Sequence, residues 1–530
     1  MNPADLFRAI GSAGEEKWYN FLMQTETPMR AIEQLQARLA DVKAVRGAAS
    51  VLGWDQQTYM PPGGAGARAN QLSVLSKISH EMATGPDTER LLAEAERETK
   101  DADPDSDEAS FVRVARRDYD QAAKLPTALV AELSRVTALA HEEWARARQD
   151  SDYPRFAPWL ERILDLTRQV AQHLGYQDVM YDALLDLYEP GMKTREVRAM
   201  FDALRPAQVA LVQAIIAKGP DLIDASPLQL DYDEATQTQF GLEVVRRLGF
   251  DFARGRQDRA VHPFCTSFSR DDVRITTRFD KNWPPMSLFG SIHETGHALY
   301  EQGVDPRYDG NTLEGGTSLG VHESQSRLWE NLVGRSRPFW QCFYPSLQAA
   351  FPGALSDVPL ESFYRAINRV WPSLIRVEAD EVTYNLHILL RFELENDLLE
   401  GRLSVADAPQ TWNAKMREYL GLTPENDAQG ILQDVHWSGG SFGYFPTYTV
   451  GNLLSVQLFE KADADLGGQT ADQVARGDFA PLLAWLREHV HQWGRKYDPS
   501  DLIRRVTGGP LDPAPYLRYL QRKYGEIYRM

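Results

Sequence analysis

The sequence predicts a mainly α-helical fold, one large helical body with a small β-sheet set into it. Three observations point to this. Apolar residues recur at spacings of three and four through most of the chain, the period of an amphipathic helix. A single stretch, Asp272–Phe279, switches to period two. No repeat of fixed period and no low-complexity linker divides the 530 residues, so one body fits better than a string of domains.

The elements follow in chain order. Residues 1–28 read as an N-terminal appendage with its own short helix, and residues 29–530 as one catalytic-sized domain. From Thr27 to Leu52 the positions Ile32, Leu35, Leu39, Val42, Val45, Ala49 and Leu52 hold helical phase, and Gly47 weakens the pattern without breaking it. Similar patterns run through Glu108–Asp150, Pro154–Leu174, Thr194–Ala217 and Asp233–Leu248. They resume at Phe363–Glu400, Ser404–Leu420, Thr449–Ala464 and Phe479–His491. Within Asp272–Phe279, Val273, Ile275, Thr277 and Phe279 alternate with Arg274, Thr276 and Arg278, which reads as a strand. His262–Ser269 precedes it across a short polar turn, so the two are expected to form a hairpin.

Composition narrows the function classes. With 43% hydrophobic and 25% charged residues, the chain is of globular composition and has ample material for a core. A formal net charge of -18 argues against a nucleic-acid partner and reads as a solubilising surface. The two cysteines, Cys265 and Cys342, are too few for a disulfide framework and suit the cytoplasm. The N-terminus lacks the pattern of a secretory signal, and no run of about 18 apolar residues suggests a membrane span.

The chemistry centres on His293-Glu294-Thr295-Gly296-His297. Pro284-Pro285 can open a helix whose apolar stripe is Leu288, Phe289, Ile292, Leu299 and Tyr300, with Gly303 where a C-terminal cap belongs. Four residues apart, His293 and His297 project from one helix face, so each can place a nitrogen about 2 Å from one Zn²⁺. Glu294 can reach an open metal position and act as general base. A closed structural site would want four ligands, usually cysteines, and the chain lacks them. The third ligand is then sought among Glu301, Asp305, Asp309, Glu314 and Glu323. Ligands at i, i+4 and i+8 would spread over about 12 Å along the axis, which excludes Glu301. Residues 303–320 form a Gly-rich loop, and a second helix, His322–Val333, can return antiparallel with Glu323 near its start facing the metal. An acidic residue in a helix's first turn also favours the dipole without any metal.

At this point the chain resembles the carboxypeptidase Taq family of metallocarboxypeptidases. The blocks that carry the resemblance are His262-Pro263-Phe264, Asp272-Val-Arg274-Ile-Thr276, the His-Glu-Thr-Gly-His segment, His322-Glu323-Ser324-Gln325, Ile375-Arg376-Val-Glu378-Ala379-Asp380 and Gly430-Ile-Leu-Gln433-Asp434-Val-His436-Trp437. Gly53-Trp54-Asp55, Met60-Pro61 and the segment Tyr519–Gly525 are also similar, so the resemblance runs from about residue 28 to the end. It implies a deep active-site groove with the small sheet beside the metal, removal of single residues from peptide C-termini with broad specificity, poor use of proline, and a homodimer. It also implies His293, His297 and Glu323 as ligands of one Zn²⁺, for which Co²⁺ can substitute, and Glu294 as the base.

A carboxypeptidase must hold a free α-carboxylate, which guanidinium does bidentately. Arg376, read as lying in a helical stretch near Glu378 and Asp380, is the first choice for this clamp and Arg274 the second; ion pairing with nearby acids is the competing role for both. His436 and Tyr444 flank the Gly-rich turn SGGSFGY and can aim donors at an oxyanion, as the family resemblance favours; alternatively Tyr444 belongs to an aromatic cluster with Phe442, Phe445 and Tyr448. His262 is a further substrate donor. Because an extended peptide can add to a free sheet edge, Asp272–Phe279 is expected as an exposed edge strand facing the groove. The competing functions are a zinc oligopeptidase that cuts internal bonds of short peptides, and a peptide-binding module without catalysis, which the intact Glu294 disfavours.

Overall fold

The computed structural model describes residues 29–219 and 222–530, so the expectation for residues 1–28 lies outside it. The first helix, α1 (Ala31–Thr58), buries Ile32, Leu35 and Val42, as its periodicity predicts. Helices Ala65–Thr84 and Pro86–Glu98 follow it and were not legible as separate elements. Pro126 divides the expected Glu108–Asp150 helix into Asp107–Lys124 and Thr127–Asp150, because proline restricts the residue before it and cannot donate to the helix. An apolar cluster that includes Ile32, Leu35, Leu91 and Phe111 also takes in Val304, Tyr308 and Leu313, which ties these N-terminal helices to the loop beyond residue 303.

Helices Tyr153–Leu174, Thr194–Ile216 and Glu234–Leu248 match their sequence patterns within a residue or two. By length and composition Thr194–Ile216 is long and apolar enough to cross a membrane, and it is the one such helix among the described residues. Its apolar face, Val197, Phe201, Leu204 and Val212, belongs to the main core.

Three strands interrupt the helices: β1 (Gly255–Arg259), β2 (Cys265–Ser269) and β3 (Asp272–Thr277), in the order β1-β3-β2. The β2–β3 hairpin is antiparallel, as expected. The edge expectation fails: β1 pairs in parallel along the other side of β3, which makes β3 the central strand. Its sequence, Gly-Arg-Gln-Asp-Arg, has no apolar alternation to announce a strand. Gly255 is needed there, since a Cβ would stand 2.1 Å from the Val273 carbonyl oxygen. Val273 and Ile275 of β3 pack with Ala298 of the helix that follows.

That helix is α2 (Pro285–Gly303), opened by the proline pair. It is buried on nearly every side, including Ser287, Ser291 and Thr295. Gly303 is its last helical residue rather than a left-handed cap; it is small because a Cβ would lie 2.6 Å from the His491 ring. The Gly-rich loop leads into α3 (Leu319–Arg327), which Ser318 caps, and a π-helical turn, Leu328–Gly334, continues it. Farther on, the expected Phe363–Glu400 helix is broken. Helix Leu360–Ile367 ends well before α4 (Tyr384–Leu399), and Arg376 lies between them on a 3₁₀ turn, Arg376–Glu378. Pro372 within Trp371-Pro372 bars helix continuation there.

The position of α3 is set from both sides by missing side chains. Gly296 of α2 faces it so closely that a Cβ would fall 2.5 Å from both Gln325 O and Ser326 Cα. From the other side, α5 (Pro446–Asp465) presents Gly451, where a Cβ would fall 2.4 Å from Glu323 Cγ. A methyl at Gly296 must therefore push backbone. Gly296→Ala is expected to cost about 1–3 kcal/mol of stability by overpacking, seen as a lower melting midpoint of the metal-free protein; an unchanged midpoint would contradict this packing.

Candidate active site

The sequence-predicted ligands come together. His293 Nε2 lies 3.6 Å and His297 Nε2 3.4 Å from the same oxygen, Glu323 Oε2. The three ligand atoms all lie within 4.8 Å of one another. Tetrahedral ligands about 2.0–2.1 Å from one ion stand about 3.4 Å apart, so this donor set fits a small divalent cation such as Zn²⁺. Two imidazoles and one carboxylate leave a fourth position free for water or substrate, the pattern of a catalytic site.

Each ligand is aimed by a partner on its far side. His293 Nδ1 is 2.9 Å from Glu330 Oε2, so it donates there and leaves Nε2 its lone pair. His297 Nδ1 meets His322 Nδ1 at 2.7 Å, and His322 Nε2 meets Glu301 Oε1 at 2.7 Å. The assignment consistent along this chain has His322 Nε2 donating to Glu301 and His297 Nδ1 donating to His322, which again frees Nε2 of the ligand. Arg327 Nε donates to Glu323 Oε1 at 2.7 Å, leaving Oε2 to face the histidines. Glu301 lies outside the His293–His297–Glu323 group and is linked to His297 through His322.

Glu330 and Arg327 were missed from the sequence. Arg327 sits four residues after Glu323 on α3, a spacing that could have suggested the pair. Glu330 lies in the π-helical turn, so helical phase alone does not place it. Its carboxylate also receives Arg327 Nη1 and Arg335 Nη2, each at 3.3 Å.

Electrostatics suit the roles. Burial pushes His297 down to about 4, so it is a neutral donor to metal. Burial also disfavours charge on His293, but the Glu323 charge and the Glu330 hydrogen bond outweigh it and the net shift is upward. Glu294 is buried beside them; burial pushes its carboxyl up to about 7, against the neighbouring His293 and with the added charges of Glu323 and Glu330. A carboxyl near neutrality is well matched to shuttling a proton, and a bound cation would draw it down again.

A second cluster faces this one. Arg376 is 4% exposed, and its partner is Asp434 rather than the nearby Glu378 or Asp380. Nε and Nη2 reach Asp434 Oδ1 at 3.0 and 2.9 Å, and Nη1 donates to the Tyr384 hydroxyl at 2.7 Å. Asp380 instead accepts from the backbone of Trp371, Val382 and Thr383, which shapes the loop. Arg391 holds the other oxygen of Asp434. Tyr384 links the clusters, because the Arg327 guanidinium stands 4.4 Å over its ring.

His436 and Tyr444 are brought together here, with ring centroids 5.3 Å apart. His436 Nε2 is 3.4 Å from the Tyr448 hydroxyl and Nδ1 is 3.9 Å from Asp434. Burial, then the Arg376 charge, pushes His436 down to about 3, so it is a neutral hydrogen-bond donor rather than an acid. Burial and the nearby Glu323 charge push Tyr444 up to about 12, so its phenol keeps its proton. Of the aromatic neighbours expected for Tyr444, Tyr448 stands 5.4 Å away, whereas Phe442 stacks on Trp437 and Phe445 packs on His436; Tyr188, which was not expected, is 5.2 Å away.

The remaining two candidates lie elsewhere. Arg274 makes two 2.8 Å bonds to Asp272, and its guanidinium is sandwiched between Trp54 at 4.3 Å and Phe268 at 4.9 Å. It staples α1 to the sheet; the ion-pair alternative anticipated the Asp272 contact but not the aromatic sandwich. His262 is exposed on the loop before β2, in the fields of Arg278 and Arg148, outside both clusters.

Comparison with known proteins identifies the family. The family model for carboxypeptidase Taq (M32) metallopeptidases matches residues 34–524. Thermostable carboxypeptidase 1 of Thermus thermophilus is 42% identical over 512 residues, covering 95% of this chain and 100% of that protein. Carboxypeptidase 1 of Bacillus subtilis is 39% identical over 91% of this chain and 95% of its own. The crystal structure of the M32 carboxypeptidase from Deinococcus radiodurans superposes with a TM-score of 0.91 at 43% identity, covering 94% of this chain and 100% of that one. With a family model matching residues 34–524 and relatives alike over nearly their whole length, the chain belongs to the carboxypeptidase Taq (M32) family of metallopeptidases.

Proposed function

We propose that this protein is a zinc-dependent carboxypeptidase that removes single residues from peptide C-termini. One observation carries the reading: His293 and His297 turn Nε2 toward one oxygen of Glu323, and Glu294 adjoins the first ligand. The curated relatives, all named carboxypeptidases, support exopeptidase action over an oligopeptidase that cuts internal bonds. The two-histidine, one-carboxylate donor set favours Zn²⁺ and accommodates Co²⁺. A cytoplasmic homodimer completes the proposal, supported by the family resemblance and by the unbridged Cys265 and Cys342.

When bound, the ion supplies Lewis acidity and a water of lowered pKa. Glu294 takes a proton from the attacking water and delivers it to the leaving amine. His436 and Tyr444, both protonated and neutral, donate to the developing oxyanion. Arg376 holds the substrate's terminal carboxylate with the N–H groups that Asp434 and Tyr384 leave over, and so sets which bond meets the metal. Arg274, paired with Asp272 and held between Trp54 and Phe268, and the exposed His262 are given no step in this scheme.

Three outcomes are expected. Mass spectrometry of a mixed peptide pool should show stepwise loss of C-terminal residues, with C-terminally amidated peptides resisted; internal fragments from amidated peptides would favour the oligopeptidase. Glu294→Gln should bind metal normally but lower kcat by about 10²- to 10⁴-fold, and near-normal turnover would refute the assigned base. Glu330→Gln removes the acceptor that aims His293 and should weaken metal affinity by about 10- to 100-fold in a competition titration with a chelator.

A further inference from the structure

Glu395 is a completely buried carboxylate on α4 that the mechanism above does not use. Arg391, one helical turn earlier, is directed to Asp434 instead. Glu395 accepts three hydrogen bonds: from the Tyr181 hydroxyl at 2.7 Å, from Trp437 Nε1 at 2.8 Å and from the Gly443 amide at 3.1 Å. Trp437 directly follows His436, and Gly443 directly precedes Tyr444. One carboxylate therefore staples both ends of the turn that carries the two oxyanion donors.

The turn is closed by short-range backbone bonds, among them Gly440 N–H to Trp437 O and Ser441 N–H to His436 O, and no backbone bond joins Trp437 to Gly443. Gly440 and Gly443 adopt left-handed backbone, at φ 73° and 88°, which side-chain-bearing residues rarely take. A Cβ at Gly443 would also lie 2.7 Å from the Leu184 backbone. Trp437 stacks on Phe442 with an interplanar angle of 2°, so the turn is folded back on itself before Glu395 ties its ends. Three donors converging on two oxygens demand a group that only accepts. Glutamine in that place would offer one acceptor oxygen. Its oxygen can serve Tyr181 and Gly443, which share Oε2, and its amide would then oppose the indole N–H of Trp437.

We propose that Glu395 is a positioning residue for the reaction: by accepting from both ends of residues 437–443 it holds the His436 imidazole and the Tyr444 phenol at the spacing the oxyanion requires. This rests on the oxyanion role given to His436 and Tyr444 above.

The test compares Glu395→Gln, Trp437→Phe, the double variant, His436→Ala and Tyr444→Phe in the metal-loaded full chain. E395Q is expected to lower kcat by about 10- to 100-fold, approaching the loss of one oxyanion donor, with KM little changed. It should also weaken a phosphinic peptide that mimics the tetrahedral state more than a peptide product. Hydrogen exchange across residues 436–444 should quicken in E395Q even without metal. Removing the opposed indole N–H should rescue: E395Q/W437F is expected to recover to within about threefold of W437F alone, a coupling that additive structural damage would not produce. Normal kcat in E395Q, with H436A and Y444F both impaired, would overturn the proposal and leave the oxyanion reading standing. Normal kcat in H436A and Y444F would overturn the reading itself. If E395Q does not fold, W437F alone decides: a lower kcat at unchanged KM supports the staple, and wild-type kcat overturns it.

Discussion

The site depends on how closely α3 can approach its neighbours. Glu323 reaches the two histidines only because α2 and α5 each present a glycine where α3 passes. The ligand geometry is thus a packing result before it is a coordination result: the backbone contact at Gly296 sets where Glu323 starts, and Gly451 leaves room for its side chain. The histidines need no such help, since one helical turn separates them on a single face. What is hard to build is the third corner of the triangle, and two absent methyl groups build it.

Around that triangle Glu323 and the two carboxylates that orient the histidines are each paired, whereas Glu294 is buried without an ion-pair partner among the described residues. Glu323 pairs with Arg327, Glu330 with Arg327 and Arg335, and Glu301 with His322. On the facing wall Asp434 lies between Arg376 and Arg391. Removing one partner of such a buried pair exposes the other to the full cost of desolvation, about 3–5 kcal/mol. These contacts therefore act mainly as constraints on direction, each occupying the far side of a functional group and leaving its other side free of that partner. Tyr384 joins the two systems, accepting from Arg376 while its ring lies under Arg327. Tyr384 is thus the one side chain described above that touches both the Arg376–Asp434 pair and the Arg327–Glu323 pair.

How legible this was from the sequence depends on the distance over which each contact acts. The His-Glu-Thr-Gly-His helix was legible because its chemistry is local, and Glu323 followed from the geometric exclusion of Glu301 together with a helix that could return. The staple role of Arg274 was not, because its sandwich joins Trp54 on α1 to Phe268 on β2, and because β1 hides in a polar sequence that periodicity cannot detect. For Arg376 the sequence suggested the wrong acids: its carboxylate partner lies 58 positions away, at Asp434, whereas the nearby Asp380 serves the backbone. Glu330 escaped because a π-helical turn shifts the phase on which helical prediction relies. Most of the long helices were visible, but Ala65–Thr84, Arg337–Ala350 and Pro513–Tyr528 were not, and periodicity also missed the interruptions at Pro126 and Pro372, the second of which frees Arg376 from a helix.

The glycine at position 296 also changes how its motif should be understood. Written as a pattern, His-Glu-x-x-His treats its two middle positions as blanks. In this fold neither is blank. Thr295 is fully buried with its hydroxyl bonded to Ser291 O, and Gly296 touches another backbone. The five-residue word therefore specifies more than a metal and a base. It also encodes the docking surface for the helix that brings the last ligand, so a search that kept the histidines and glutamate but let the fourth letter vary would collect chains able to bind the ion in other architectures and not in this one.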